Sequence, residues 1–325
     1  YKSNSVDESR KTMRVLLAGA TGTAGKAVLH ALLQSNHSVV AVARTPPQRA
    51  QHPNLTWLSW KDLDRASHAS APIDIVISCL ASRSGSAQDS HEVDYLANQR
   101  LLDWASQHGI GHFILLSAIC VQKPRLAFQH AKLRFENALR NAEIPWTIIR
   151  PTAFFKSLAG QIPRIQRGKP FLVFGDGELT ACKPISERDL ADYIVACIGN
   201  PLRMNQTLPI GGPGPAITPL DQAIFLSDAF KKPIALRSVS PKMFDAAEWG
   251  LDRFSKLSGW CRDKAEFCRI GKYYATESML IWDAVHARYS AEQTPETGSD
   301  TLADFYQKIA SGESLQPSLG EHSLF

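Results

Sequence analysis

The stretch GATGTAG, residues 19–25, constrains the fold of this chain more than any other part of its sequence. It follows an apolar run, MRVLLAGA, and opens an amphipathic run, GTAGKAVLHALLQ, so it lies where a strand turns into a helix. Its three glycines permit a tight turn and the close approach of a pyrophosphate, which the N-terminus of the following helix binds. We therefore predict a nucleotide site in this loop. The predicted contacts are Gly19, Thr21, Gly22, Thr23 and Gly25.

Short apolar runs and longer amphipathic runs alternate as far as Pro151. Five further runs predict strands: SVVAVAR, LTWLSW, APIDIVISCLA, HFILLSAI and PWTIIRP. Two predict helices: SHEVDYLANQRLLDWASQHG and LAFQHAKLRFENALRNA. Such alternation, with nearly continuous apolar strands, is typical of a parallel sheet covered by helices on both faces. We predict an α/β fold, a doubly wound parallel-sheet Rossmann domain with a smaller α+β C-terminal substrate lobe.

Proline and glycine become frequent after Pro151, in stretches such as RGKPFLVFGDGE and IGGPGPAITP. Because these residues interrupt regular elements, we place the domain boundary there. Residues 13–155 are assigned to the cofactor-binding Rossmann domain. Residues 156–325 are assigned mainly to a substrate-binding lobe, of which some segments rejoin the Rossmann domain. Residues 1–12 are polar and are interpreted as a disordered, processed or artificially added N-terminus, not as a secretory signal.

The chain of 325 residues carries 36 Lys and Arg against 31 Asp and Glu, a formal net charge of +5. This modest charge looks dispersed, which argues against nucleic-acid binding and leaves an anionic small molecule or a membrane surface open. Six scattered cysteines form no CxxC pair, so we expect reduced thiols in a reducing compartment and no metal site. The longest apolar run, around residues 113–121, is shorter than the roughly 18 residues that a spanning helix needs.

Ser117, Phe128 and Lys132 form a second constellation. Ser117 ends the run HFILLSA at the carboxyl edge of the predicted sheet, where open α/β folds bind ligands. Phe128 and Lys132 are four residues apart on one face of the next helix. This layout resembles that of short-chain dehydrogenases with their tyrosine replaced by phenylalanine. The resemblance implies that Lys132 binds the nicotinamide ribose, the alternative being a surface lysine beside an apolar helix face. Asn98 resembles the structural asparagine of that superfamily, the alternative being an exposed amide.

The second predicted strand ends at Arg44, with Arg49 nearby, where an NAD enzyme carries an acidic residue for the ribose hydroxyls. A guanidinium there suits the 2′-phosphate of NADP, so we predict NADPH as the cofactor; the alternative is a solvated surface arginine. Asp62 follows the third strand. It resembles the acidic residue that meets the adenine amino group in the superfamily, and its other interpretation is a helix N-cap.

The segment RPTAFF follows the sixth predicted strand, where the superfamily wraps the nicotinamide. The resemblance implies that Pro151 and Thr152 hold the carboxamide through backbone and hydroxyl contacts. Phe154 and Phe155 either wall the pocket or belong to the core.

The C-terminal part of the chain resembles one family more narrowly. The block RIGKYYATESMLIWD at residues 269–283, with DTLADFYQKI and the ending LGEHSLF, is similar to divinyl chlorophyllide 8-vinyl reductases. The segments GATGTAGKAV, FQHAKLRFE and RPTAFFKSLAGQI extend the likeness over most of residues 13–325. The family implies reduction of the C8 vinyl group of divinyl chlorophyllide or protochlorophyllide to ethyl, with NADPH as hydride donor. Phenylalanine at the position of Phe128 is expected in it.

A vinyl group conjugated to an electron-poor macrocycle accepts hydride at carbon, so no alkoxide forms and no phenol is needed to protonate one. The proton then comes from water or from a pocket acid. Tyr273, Tyr274 and Glu277 are the candidates, and packing or a helix-start carboxylate is the alternative for each. The candidate catalytic residues are therefore Lys132, Ser117, Phe128, Tyr274 and Glu277.

The run PKMFDAAEWGLDRFSKLSGW predicts a helix with an apolar stripe formed by Phe244, Ala247, Leu251, Phe254 and Leu257. The stripe either packs in the core or forms a lid over the macrocycle or a peripheral membrane contact, with Trp249 and Trp260 at its edges.

Two other functions stay open. One is a non-catalytic, NmrA-like NADP-binding sensor or pigment–protein assembly factor, and the other is an isoflavone-reductase-like enzyme. We expect a cytoplasmic or membrane-peripheral protein in a photosynthetic bacterium, or a plastid protein in a eukaryote; the sequence leaves the oligomeric state undetermined.

Overall fold

The structure is a computed structural model that describes residues 12–47, 52–68, 71–252 and 259–313. The strands are β1 (Arg14–Ala18), β2 (Ser38–Ala43), β3 (Leu55–Ser59), β4 (Ile75–Ser78), β5 (His112–Leu116), β6 (Trp146–Pro151), β7 (Phe171–Phe174), β8 (Gln206–Ile210), β9 (Leu236–Val239), β10 (Ile281–Asp283) and β11 (Arg288–Ser290). The helices are α1 (Thr23–Gln34), α2 (Ala87–Asp89), α3 (Asn98–Gln107), α4 (Ala127–Arg140), α5 (Phe155–Leu158), α6 (Ile162–Gln166), α7 (Glu187–Val195), α8 (Pro219–Phe230), α9 (Lys242–Asp252), α10 (Gly259–Thr276) and α11 (Leu302–Ala310).

Less regular helical segments separate some of these elements. A π-helical segment, Ser90–Ala97, joins α2 to α3 without a break. Short 3₁₀ segments occupy Trp60–His68, Ile119–Gln122 and Pro201–Arg203. Arg49, Phe254 and Leu257 lie outside the described residues, as do residues 1–11.

Seven strands form one sheet in the order β3-β2-β1-β4-β5-β6-β8, and every neighbouring pair is parallel. The chain order reverses between β1 and β4, so the carboxyl ends of these two strands flank a crevice of the kind in which open α/β sheets bind ligands. The predicted doubly wound parallel sheet is thereby confirmed. All the strands and helices predicted before Pro151 appear at the expected places.

Alternation along each central strand produces two apolar layers, one on each face of the sheet. Val15 and Leu17 of β1 belong to the layer covered by α1 and α7, whereas Leu16 and Ala18 belong to the layer covered by α3 and α4. All four are fully buried. Burial on both faces explains why the strands read as continuous apolar runs.

Several elements after Pro151 pack around a further apolar core, which also takes in Ile119, Cys120 and Leu126. β7 and β9 form a two-stranded parallel sheet, and β10 and β11 form an antiparallel pair. A third apolar cluster joins α5, α6, α8, α10 and α11, and it contains Tyr306, fully buried, whose hydroxyl donates to the carbonyl of Leu158 at 2.8 Å. β8 belongs to the main sheet through its pairing with β6, and α7 packs on α1. Among the described residues no helix combines the length and apolarity needed to cross a bilayer.

Candidate active site

The glycine-rich loop leaves no room for side chains at two of its positions. Gly19 has φ +82°, and a Cβ there would lie 2.6 Å from the backbone of Cys79 at the end of β4. A Cβ on Gly25 would lie 2.0 Å from the carbonyl oxygen of Gly19. The Gly22 amide closes the turn by donating to that same carbonyl at 3.0 Å. The backbone is thus arranged for a phosphate to approach the start of α1, which fits a dinucleotide cofactor.

A lysine from beyond β6 reaches the same place. Nζ of Lys156 donates to Oγ1 of Thr23, the first residue of α1, at 2.9 Å. No acidic residue occupies the first turn of α1, so Lys156 adds positive charge to the positive end of a helix dipole. Such an arrangement is favourable when an anion binds there. Sequence reasoning missed Lys156 because it lies 133 residues from Thr23 along the chain.

The two residues predicted to meet the adenosine half lie at the expected edge. Arg44 follows β2 directly and is exposed. Asp62 lies at a kink within Trp60–His68, where one short helical stretch meets the next, and Arg65 approaches its carboxylate to 3.4 Å. Both side chains are accessible to a nucleotide bound along the glycine loop.

Lys132 is held by a carboxylate that the sequence did not point to. Its Nζ lies 2.9 Å from Oδ1 of Asp94; 12% of the lysine side chain and none of the aspartate side chain are exposed. The Ser82 amide also donates to Oδ1, whereas Oδ2 has no hydrogen-bond partner within the described part of the chain. Lys132 is therefore an oriented, ion-paired group and not a surface lysine.

Asn98 secures the π-helical segment that presents Asp94. Its Nδ2 donates to the carbonyls of Val93 (3.3 Å) and Asp94 (3.1 Å), and its Oδ1 accepts from Ser78 at the end of β4. Only 2% of Asn98 is exposed, so the alternative of an exposed amide is wrong. The network links the edge of the sheet to the lysine.

Ser117 lines the same narrow crevice as Lys132 and Asp94, but its hydroxyl is turned away from them. It donates to Oε1 of Glu136, a buried carboxylate one helical turn beyond Lys132, at 2.6 Å. Arg150 and Arg140 donate to the same carboxylate from β6 and α4. The hydroxyl hydrogen of Ser117 is thus already bonded to Glu136. In this structure it is not available to donate to a nicotinamide.

The charge of Glu136 is maintained by these partners. Burial alone would raise the pKa of its carboxyl, but the hydrogen bond and charge of Arg150, the Ser117 hydroxyl and Arg140 outweigh burial and hold that pKa below its usual value. The ionised carboxylate therefore fixes α4, and with it Phe128 and Lys132, to strands β5 and β6.

Helix α10 covers the site from the second lobe. A Cβ on Gly85, in the loop after β4, would lie 2.8 Å from Ile270 of α10 and 3.7 Å from the ring of Phe128. The hydroxyl of Tyr273 donates to the carbonyls of Cys120 (2.9 Å) and Lys123 (3.1 Å). Phe128 is half-buried at this junction and packs in the third apolar cluster.

Tyr273 and Tyr274 differ in what they can do. Tyr273 is 3% exposed and its hydroxyl is committed to backbone carbonyls. Tyr274 keeps 39% of its surface exposed while its hydroxyl lies in buried surroundings beside the Cys120 thiol. Burial, and after it the neighbouring Cys120, raises the pKa of Tyr274 well above its usual value, so this hydroxyl stays protonated.

Glu277, a candidate acid in the sequence, is instead an ion-paired carboxylate. Lys123 contacts its Oε2 at 2.8 Å and Arg125 its Oε1 at 2.9 Å. Burial would raise its pKa, but the hydrogen bonds of Lys123 and Tyr289 and the charge of Arg125 lower it overall. Such a group holds no proton to donate near neutral pH, so this geometry speaks against a role for Glu277 as the acid.

The segment RPTAFF lies at the carboxyl edge of the sheet, at the end of β6, as the sequence predicted. Pro151 ends β6 opposite Ile210 of β8. Thr152 donates its hydroxyl to the carbonyl of Lys183, which leaves the oxygen free to accept from a carboxamide. Phe155 is 2% exposed and packs on Phe305, so of its two interpretations the core is correct. Phe154, the N-cap of α5, is only partly buried.

Phe244 of the predicted stripe packs inside the lobe, whereas Trp249 at the edge of the stripe is exposed. Phe244 of α9 packs on Phe174 with ring centroids 5.4 Å apart, and its ring fills the space beside Gly271 of α10. Trp249 is 72% exposed. The side chains of Ala247 and Trp260 lie outside the described residues.

Comparison with known proteins agrees with this geometry. The family model for NAD(P)H-binding proteins matches residues 19–201. Divinyl chlorophyllide a 8-vinyl-reductase of Oryza sativa subsp. indica is 43% identical over 96% of this chain and 82% of its own length. The enzyme of the same name from Cucumis sativus is 41% identical over 100% of this chain and 82% of its own length. The chain belongs to the divinyl chlorophyllide a 8-vinyl-reductase family.

The family is one of oxidoreductases, and residues 19–201 of this chain match the nicotinamide-cofactor domain. A solved nucleoside-diphosphate-sugar epimerase from Staphylococcus aureus superposes with a TM-score of 0.64 over 91% of this chain and 100% of its own, at 16% identity. At that identity the likeness concerns the fold alone, and it agrees with the order of the seven strands.

Replacing Glu136 by Gln should lower the free energy of unfolding at neutral pH by about 3 kcal/mol, because two arginines lose a buried counter-charge. The lowered pKa means that this stabilisation is present above pH ~4.3, the unfolded value of Glu, and is lost as pH falls through the folded value. Urea unfolding at several pH values measures it. The difference between wild type and Glu136→Gln should shrink in acid, whereas the exposed control Glu143→Gln should match wild type throughout.

Proposed function

We propose that this chain reduces the C8 vinyl group of divinyl chlorophyllide or divinyl protochlorophyllide to ethyl, with NADPH as the reductant. The proposal rests on one observation: a buried, oriented lysine lies one helical turn after a phenylalanine. Lys132 is fixed by Asp94, and one helical turn before it Phe128 presents an apolar ring beneath α10. The names of the relatives that share 41–43% identity with the chain support this substrate.

The chemistry explains why a phenol is not needed at position 128. Hydride addition to one carbon of a conjugated vinyl group leaves charge delocalised over the macrocycle, and a proton adds to the other carbon. Because no oxygen anion develops, the site needs no acid beside a carbonyl. A flat apolar ring at Phe128 is instead suited to contact with a flat apolar substrate.

Several groups of the chain are suited to hold NADPH, which when bound supplies the hydride. The amides of the glycine loop and Lys156, whose Nζ lies at the start of α1, would hold the pyrophosphate, and the exposed Arg44 would bind the 2′-phosphate. Lys132 would bind the nicotinamide ribose, and the Thr152 oxygen would accept from the carboxamide. Binding energy is thereby used to orient the nicotinamide against the vinyl group, which supplies most of the catalysis.

Tyr274 is the proposed proton donor. Its hydroxyl lies beside the Cys120 thiol, and burial raises its pKa well above the usual value, so it holds its proton at neutral pH. Tyr273 and Glu277 have structural roles by comparison.

We place this reaction in a plastid or in the cytoplasm of a photosynthetic bacterium; the relatives are named chloroplastic.

Incubation of the protein with divinyl chlorophyllide and NADPH should yield the monovinyl pigment, detected by chromatography and absorption. Lys132→Ala should lower kcat/KM about 100-fold, because the nicotinamide loses its positioning contact. His130→Ala, on an exposed face of the same helix, should leave it unchanged. A well-folded protein that binds NADPH but never oxidises it in the presence of the pigment would instead be a non-catalytic cofactor-binding factor.

Tyr274→Phe should lower kcat by about 100-fold with little change in the dissociation constant of NADPH, because only proton transfer is affected. Tyr273→Phe is the matched control: loss of its two backbone hydrogen bonds should reduce thermal stability and largely spare kcat. If Tyr274→Phe retained the wild-type kcat, the proton would have to come from solvent.

Lys156→Met should weaken the binding of NADPH and NADH by the same factor, about tenfold, because both contain the pyrophosphate. Arg44→Ala should weaken NADPH alone, because only NADPH has the 2′-phosphate. Fluorescence titration of each variant with each nucleotide measures both effects, and Lys308→Met, on an exposed position of α11, serves as the control. A selective loss of NADPH in Lys156→Met would contradict the assignment of this lysine to the pyrophosphate.

A further inference from the structure

Six cations of the second lobe lie on or directly beside two adjoining turns, one between α6 and β7 and the other between α8 and β9. We call this set the basic patch. It consists of Arg164, Arg167, Lys169, Lys231, Lys232 and Arg237. No part of the proposed catalytic arrangement uses these residues.

The two turns are joined by direct contacts. The Phe171 amide donates to the carbonyl of Ala235 at 2.8 Å where β7 begins to pair with β9. Nζ of Lys232 reaches the carbonyl of Ile165 on the other turn, at 3.4 Å. Within the first turn, Lys169 donates its amide to the carbonyl of Arg164 at 3.1 Å. The members therefore form one continuous surface and are not scattered, in contrast to the dispersed charge expected from composition.

The basic patch has no internal counter-charge. Residues 163–170 and 231–237 contain no Asp or Glu. Across the described ranges no ion pair within 4.0 Å involves a member of the patch, and Asp228, the acidic residue just before the second turn, is not paired with it. All members except the half-buried Arg164 are exposed. The patch is therefore a local concentration of positive charge.

Apolar atoms are exposed among these charges. Leu236, next to Arg237, is 48% exposed, and Pro233 and Ala235 beside it are exposed as well. Phe230, just before the second turn, is an aromatic residue next to the patch; it is partly buried in the third apolar cluster, and Lys232 lies 5.9 Å from its ring centroid. The turns themselves contain no aromatic side chain on which a nucleic-acid base could stack. Cations interleaved with exposed aliphatic groups suit the headgroup region of a bilayer, which accepts both.

We propose that the basic patch docks the protein on a membrane surface rich in anionic lipids. The choice of a membrane rests in part on the proposed function, because a flat, mostly apolar pigment partitions into bilayers and a docked enzyme meets it there. Attraction comes from the six charges, and Leu236 enters the headgroup region between them. The interaction is peripheral and sensitive to salt.

Cosedimentation of the full chain with vesicles tests this proposal without pigment or cofactor, so its failure is distinct from a failure of the reductase activity. Wild type should cosediment with phosphatidylglycerol–phosphatidylcholine vesicles at low salt and dissociate from them at high salt. It should not bind vesicles of pure phosphatidylcholine. Arg167→Gln/Lys169→Gln and Lys232→Gln/Arg237→Gln should each lower the partition coefficient about 25-fold, because each removes two charges.

The control is Arg288→Gln/Lys308→Gln, which removes two exposed charges elsewhere on the lobe and should bind within twofold of wild type. Leu236→Ser should weaken binding while the salt dependence is retained. Equal losses in the control and patch variants would overturn the proposal, since the attraction would then follow net charge alone. Tight binding to an RNA oligonucleotide with no binding to anionic vesicles would overturn it as well.

Discussion

The ion pair between Lys132 and Asp94 is the interaction on which the proposed chemistry depends. A buried carboxylate needs a partner, and a lysine without one would rotate toward solvent. Asp94 belongs to the π-helical segment, and the Asn98 side chain donates to its backbone carbonyl. Asn98 in turn accepts a hydrogen bond from Ser78 at the end of β4. The position of the lysine is thus set from the switch point of the sheet, through one hydrogen-bonded path.

A second constraint comes from outside the Rossmann sheet. Helix α10 is fixed over the carboxyl edge by Tyr273, whose hydroxyl meets two backbone carbonyls, and by Glu277, which binds Lys123 and Arg125. These contacts bring a face of the second lobe against Phe128. The proposed site consequently has a cofactor side built on strands and α4, and a proposed substrate side contributed by a helix that is distant in sequence.

Sequence reasoning performed best where the physical signal is local. Apolar runs broken by turn residues predicted the strands, and the spacing of glycines predicted the turn in which Gly25 packs on the carbonyl of Gly19. It performed worst for polar side chains. Ser117 was a candidate catalytic residue at the sheet edge, but its hydroxyl donates to Glu136. Glu277 was a candidate acid with a helix-start carboxylate as the alternative, and its cationic neighbours keep it ionised. The partner of a polar group depends on distant segments, which no local pattern reveals.

The amino-acid sequence by itself determined the fold class, the place of the cofactor loop and the family, because periodicity, glycine positions and a long shared stretch are properties of neighbouring residues. Only the tertiary structure decided which charges meet. Lys156 reaches Thr23 across 133 residues, Lys132 pairs with Asp94, and cations from two separate turns combine into the basic patch. Electrostatic partners are set by distance in space, and the folding of the chain brings residues that are far apart in sequence to that distance.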